Sequence, residues 1–209
     1  MLRAAMRSAA TPHPDVTLAL IAGGQGARLG GVAKGLLRLQ GQPLLTHLLR
    51  LRPLFGEVLL VSNDPASYAA WALPTVADLL PGRGAPGGIH TALVHARTAW
   101  VLAVGCDMPF VTPAALGPLL AARAPGVQAV AYQVGGRLEP LLTLYRPELA
   151  QDWAARLGGA RAPSLQQLLA GARLALLEEA VLRAVDPRLA SVRSVNTPED
   201  LEALGVERP

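Results

Sequence analysis

Apolar positions along this chain gather in short runs broken by glycine- and proline-rich punctuation, the pattern of strands covered on both faces. Residues 16–22 (VTLALIA) form the first run, and Gly23-Gly24 close it, so a buried strand is predicted to enter a loop lasting to about Ala33. A stretch periodic in leucine, opened by Pro43 and reaching Leu54, predicts a helix with proline in its first turn. A second buried strand follows at 57–62, then a turn at Asn63-Asp64-Pro65, a short helix near 66–72 and a short strand at 74–77 ending on Asp78. Beyond the loop LLPGRGAPGG come a helix from Ile89 to about Thr98 and a strand at 100–104 running into Gly-Cys-Asp-Met-Pro. Thr112-Pro113 has the form of a cap and first helical position for a helix to Arg123. Strands at 127–134 and 138–145, helices at 147–157 and 164–170, a strand near 192–195 and a helix capped by Thr197 complete the chain.

Strands alternating with helices predict a single-domain α/β fold, a Rossmann-like, mostly parallel sheet with helices on both faces. The domain is expected over residues 15–205, after an arm at 1–14 that is basic and lacks the apolar core of a secretory signal. Ligands of such sheets bind at the carboxyl ends of the strands. Gly23-Gly24, Asn63, Asp78 and Asp107 each fall at the end of a different predicted strand.

Composition narrows the class. An apolar content of 51% supports one substantial core, and no apolar run reaches the roughly 18 residues of a membrane helix. A cytoplasmic protein is expected, and the single cysteine, Cys106, fits a reducing compartment. The net charge of +4 suits a polyanionic substrate, yet the basic residues are scattered and only 4% of positions are aromatic, so no nucleic-acid surface is predicted. Lys34 is the only lysine among 19 basic residues, and Asn63 and Asn196 are the only asparagines. A compact ammonium kept where arginine is otherwise used points to a task a planar guanidinium performs poorly.

The loop after the first strand carries Arg28 and Lys34 among its glycines, which allow backbone N–H groups to approach phosphate. It is neither a dinucleotide fingerprint, since Leu29 stands where the third glycine belongs, nor a Walker A loop, since Lys34 is followed by Gly35. What remains is Ala22-Gly23-Gly24-Gln25-Gly26-Ala27-Arg28-Leu29-Gly30 with Lys34 four residues on, a pattern similar to that of nucleotidyltransferases.

Further motifs make the chain resemble the molybdenum cofactor guanylyltransferase family, of the nucleotide-diphospho-sugar transferase fold type. They are Lys34-Gly35-Leu36-Leu37, Gly41-Gln42-Pro43-Leu44, Gly84 to Ile89, Gly105-Cys106-Asp107-Met108-Pro109-Phe110, Glu139-Pro140-Leu141 and Val195-Asn196-Thr197-Pro198. The resemblance implies nucleotide binding by Ile21, Ala22, Gly23, Gly24, Lys34, Asn63, Asp78 and Asp107, with Asp107 holding Mg²⁺. Ser194 departs from the family's usual asparagine two positions before Asn196, which weakens the expectation that this segment grips a pterin. The implied substrates are GTP and molybdopterin, the molybdenum cofactor's organic part, and the implied protein partners are molybdoenzymes or other cofactor-biosynthesis proteins.

Residue chemistry agrees for Asp107, because a strand-end carboxylate suits a hard cation that takes its other ligands from water and phosphate. Asp78 and Asn63 are equally readable as turn residues. Arg137 and Glu139 either line an acceptor pocket, with Asn196, or stand as ordinary strand ions. The catalytic set is then Arg28, Lys34 and Asp107, acting by charge neutralisation on an acceptor phosphate that is already ionised. The rival readings are a cytidylyltransferase or a sugar- or polyol-phosphate nucleotidyltransferase of the same fold, and a non-catalytic carrier of the cofactor.

Overall fold

The computed structural model describes residues 12–22 and 32–209. The first strand, β1 (His13–Ile21), takes in His13 and Pro14 from the expected arm. Two short strands follow, β2 (Arg38–Leu39) and β3 (Gln42–Pro43), then α1 (Leu44–Leu48), β4 (Phe55–Val61) and β5 (Thr75–Val76). The middle of the chain forms α2 (Gly84–His95), β6 (Trp100–Gly105), α3 (Pro113–Ala121), β7 (Ala129–Val134) and β8 (Arg137–Tyr145). It ends in α4 (Leu149–Leu157), α5 (Leu165–Ala170), β9 (Leu174–Glu178), α6 (Glu179–Val185), α7 (Pro198–Leu204) and β10 (Val206–Glu207).

Seven strands make one sheet in the order β5-β4-β1-β6-β8-β7-β9. The first four are parallel, β8 runs antiparallel to both its neighbours, and β9 is parallel to β7. Gly135 and Gly136, both at positive φ, make the two-residue turn that joins β7 to β8. Side chains alternate across β1 as the pleat requires. Val16, Leu18 and Leu20 enter a core with Leu45, Leu48, Leu116 and Leu119, under α1 and α3. Ala19 and Ile21 face the opposite core with Ile89, Leu93, Trp153 and Leu168, under α2, α4 and α5. A third core of Leu37, Leu39, Leu44, Val195, Leu201 and Val206 joins α7 to the small antiparallel sheet β10-β2-β3.

Four expectations are corrected. The helix predicted from Pro43 to Leu54 is α1 followed by 3-10 turns over Leu49–Leu54, because Pro53 has no N–H to give to the carbonyl four residues back. Pro43 itself belongs to β3. The second half of the loop LLPGRGAPGG is the first turn of α2, where Pro86 sits among the N–H groups that a helix leaves unbonded. No strand forms at 192–195: Ala190–Val192 is a 3-10 turn, and the Val195 N–H instead bonds the Asp107 carbonyl at 2.9 Å. A strand not expected from the sequence is β9, whose residues are of mixed exposure and form no continuous buried run. No helix among the described residues is long and apolar enough to cross a membrane.

Candidate active site

The parallel register sets Ile21 beside both Val61 and Gly105, so β1, β4 and β6 end at one level. Main-chain bonds seal the junction: the Ala22 N–H donates to Val61 O at 2.9 Å, and the Cys106 N–H to Ile21 O at 3.0 Å. Ile21, Ala22, Asn63, Asp78 and Asp107 therefore share one end of the sheet. Gly23, Gly24 and Arg28 lie outside the described residues.

Lys34 is carried to this end by a 3-10 turn over Lys34–Leu36. Its ammonium donates to Asp107 Oδ2 at 2.7 Å and to Asn196 Oδ1 at 2.5 Å. The two charged side chains stay only 22% and 12% exposed, which strengthens their attraction relative to a surface pair. Around them is a second set of contacts. Asn196 Nδ2 donates to Ser194 Oγ at 2.6 Å, an orientation that turns the amide oxygen toward Lys34. Asp200 Oδ2 accepts the N–H groups of Asn196 and Thr197 at 2.8 and 2.9 Å while capping α7. Gly105 leaves room for the carboxylate, since a Cβ there would stand 2.6 Å from Asp107 Oδ1.

Three of these residues escape a reading of the sequence. Ser194 registers there only as a departure from a family pattern. Asp200 carries a signal as the fourth residue of Thr-Pro-Glu-Asp, where a capping box places its acid. Gly105 carries one as a glycine two positions before a strand-end aspartate.

Asn63 and Asp78 pair with each other on the β4 and β5 side. Asn63 Nδ2 donates to Asp78 Oδ2 at 3.0 Å, and the Asp78 N–H returns a bond to Asn63 Oδ1 at 2.9 Å. Burial raises the Asp78 carboxyl above its ordinary range, against the opposing effect of Asn63, and Asp78 Oδ1 is buried without a partner among the described residues. A Cβ at Gly88 would meet Ile21 Cγ2 at 3.0 Å and Asp78 Oδ1 at 3.6 Å, so glycine lets α2 close on this pair.

The acceptor candidates separate. Asn196 belongs to the Lys34 cluster, whereas Arg137 and Glu139 stand at the start of β8, on the opposite flank of Asp107 from Asn63 and Asp78. They line a groove of about 450 Å³ with Pro86, Leu138, Pro140, Ser164, Leu165 and Gln166. Burial pushes the Glu139 carboxyl up to about 7, and the Arg137 guanidinium opposes it. Among the described residues no three His, Cys, Asp or Glu side chains converge as a metal cage. Asp107 instead offers a single carboxylate, a hard donor of the kind that fits an ion taking its remaining ligands from phosphate and water.

A lysine paired to a strand-end aspartate at the carboxyl ends of a parallel sheet defines the class: this is a Rossmann-like nucleotidyltransferase. The chain belongs to the MobA-like NTP transferase family, whose domain model matches residues 18–179. It is 40% identical over 197 residues to the molybdenum cofactor guanylyltransferase of Pseudomonas aeruginosa strain PAO1, covering 89% of this chain and 92% of that protein. The crystal structure of molybdopterin-guanine dinucleotide biosynthesis protein A from Archaeoglobus fulgidus superposes with a TM-score of 0.77 at 27% identity, covering 90% of this chain and 96% of that one. The 2-C-methyl-D-erythritol 4-phosphate cytidylyltransferase of Thermus thermophilus shares the fold, with a TM-score of 0.61 at 21% identity over 89% of this chain and 95% of its own.

Proposed function

We propose that this protein transfers GMP from GTP to the terminal phosphate of molybdopterin, releasing pyrophosphate and forming the guanine dinucleotide cofactor. The observation that carries the reading is the pinned Lys34–Asp107 contact at the carboxyl end of the sheet, between the Asn63–Asp78 pair and the groove beside Glu139. An oxygen of the acceptor phosphate attacks the α-phosphorus in line, and the bond from that phosphorus to the bridging oxygen breaks as pyrophosphate leaves. The attacking phosphate is already ionised and needs no strong base. Lys34 neutralises phosphate charge and is held in place by Asp107 and Asn196, so its position is set before substrate arrives. Arg28 supplies a second cation, and the Ile21–Gly24 segment cradles the nucleotide. Asn63 and Asp78 orient its nucleoside end.

Asp107 is the residue that would hold Mg²⁺, with substrate phosphates and water completing the shell. When bound, the ion screens charge on the transferring group. The reaction is placed in the cytoplasm, and the product passes to molybdoenzymes or to other proteins of cofactor biosynthesis.

Pyrophosphate release measured with molybdopterin and each nucleoside triphosphate in turn tests the reading. GTP is expected to be preferred by several powers of ten, on the order of 10⁴, because a site built for guanine's N1–H and N2–H₂ leaves polar groups unpaired with cytosine. A preference for CTP would make the chain a cytidylyltransferase of the same fold. Binding of both substrates without pyrophosphate release would make it a carrier.

A further inference from the structure

Three residues beyond Asn63 the chain makes a 3-10 turn over Ala66–Trp71, and Tyr68 is the one side chain of that turn that is fully buried. The turn is fastened at both ends. The Ser67 hydroxyl donates to Asp64 Oδ2, and Trp71 Nε1 donates to Thr46 Oγ1 of α1 at 3.1 Å. Tyr68, only 1% exposed, runs inward beneath the Lys34–Leu36 turn. A Cβ on Gly35 would stand 3.0 Å from both Tyr68 Cε1 and Tyr68 Oη, so the ring edge lies directly against the main chain that follows Lys34. Ala33 and Leu36, on either side, pack against the same core as Tyr68.

This packing accounts for the ring but not for the hydroxyl. Tyr68 Oη is buried, and no described residue completes a hydrogen bond to it. Phenylalanine would fill the same space without leaving a buried polar group unpaired, an arrangement that ordinarily costs stability. Burial, and then the nearby Cys106, raise the phenol's titration, and of the groups that act on it only the Gly35 N–H opposes them. The Gly35 N–H thus faces Oη just short of a hydrogen bond.

The Lys34 ammonium is held here by Asp107 and Asn196. When it turns to a phosphate it gives up part of that hold, and the main chain carrying it then needs an anchor that does not compete for the same charge. A neutral hydroxyl under the Gly35 N–H is such an anchor. We infer that Tyr68 is a positioning residue for Lys34, its ring the floor of the Lys34–Leu36 turn and its hydroxyl the acceptor that the Gly35 N–H meets once Lys34 engages phosphate. The inference rests on the proposed reaction for that engagement.

The Gly35 amide resonance of ¹⁵N-labelled protein reads this bond directly. It is followed in the wild type and in Tyr68→Phe, free and saturated in turn with GTP or CTP and Mg²⁺, beside thermal melting and pyrophosphate release. Nucleotide is expected to slow exchange of the wild-type Gly35 amide with solvent roughly tenfold or more, and Tyr68→Phe should abolish that protection. The variant should melt no lower than the wild type, since it loses only an unpaired group, and release pyrophosphate about tenfold more slowly. Trp71→Phe, which cuts the same turn loose from Thr46, should melt lower and keep the protection. Equal protection in the wild type and Tyr68→Phe, or none in the wild type with either nucleotide, would overturn the inference. So would protection lost equally in Trp71→Phe, a Tyr68→Phe protein that melts lower, or one that releases pyrophosphate at the wild-type rate. Tyr68-dependent protection in a wild type that releases no pyrophosphate would leave the positioning role standing and remove the reaction.

Discussion

At the scale of single residues, the site is a charge cluster assembled across great distances in sequence. Lys34 reaches Asp107 over 73 positions and Asn196 over 162. Asp107→Asn should therefore separate chemistry from folding. The amide keeps the shape of the side chain and can still accept from Lys34, so thermal unfolding is expected to move by no more than about 1 kcal/mol. Turnover should fall on the order of 10²-fold or more, because a neutral ligand no longer recruits the divalent ion. Melting and steady-state rates on one preparation measure both, and a variant with near-normal rates would end the metal-ligand assignment. Scarcity marked Lys34 and a strand-end position marked Asp107 in the sequence, whereas Asn63 and Asp78 read equally well as turn residues until the fold paired them. The roles of Ser194 and Gly105 were not legible, since one acts by turning a neighbouring amide and the other by lacking a Cβ, and such roles appear only once the fold sets their neighbours.

Among elements, α7 links the C-terminal segment to the reactive end of the sheet. Thr197 Oγ1 accepts from the Asp200 N–H at 3.2 Å, and the same acid anchors the Asn196 N–H. Thr112 caps α3 in the same manner, accepting from Ala115 N, but makes no contact with the Lys34 cluster. Thr197→Ala and Thr112→Ala are each expected to cost about 1 kcal/mol of stability, yet only the former should depress turnover. Equal kinetics in the two variants would show that α7 is a plain brace. Elements built from buried runs, β1, β4 and β6, were read correctly from the pattern. The short strands β2, β3 and β10 were not, because pairs of two residues carry no period, and β9 with α6 was missed because its apolar residues are half exposed.

The molecule as a whole has acids displaced in both directions. Backbone hydrogen bonds lower the carboxyls of Glu179, Glu199 and Asp200, and those to Ser191 and Ala190 lower Asp186. Their folded titrations lie below the unfolded values, so their stabilisation is present above the unfolded value and is lost as pH falls through the folded one. Asp78 and Glu139 behave oppositely. Burial raises them, the folded state holds the proton more tightly, and stability is lost as pH rises from the ordinary carboxyl range to about 7 for Glu139. The expected curve of melting temperature against pH is a dome, falling below about pH 4 and declining between about 4.5 and 7. Glu139→Gln should flatten the decline on the higher-pH side and leave the acid limb unchanged. An identical curve in the variant would show that the carboxyl is better solvated than its position implies.

The retention of one lysine also makes the molecule its own reporter. Apart from the terminal amine, Lys34 carries the only aliphatic primary amine of the chain, and it sits in the centre of the reacting cluster. An amine-acylating reagent applied at limiting dose thus has a single internal target, and peptide mapping, which separates Lys34 from the terminal amine, reads nucleotide occupancy from the unmodified fraction. In most proteins such a footprint is lost among surface lysines. Here an arginine-dominated surface supplies a silent background.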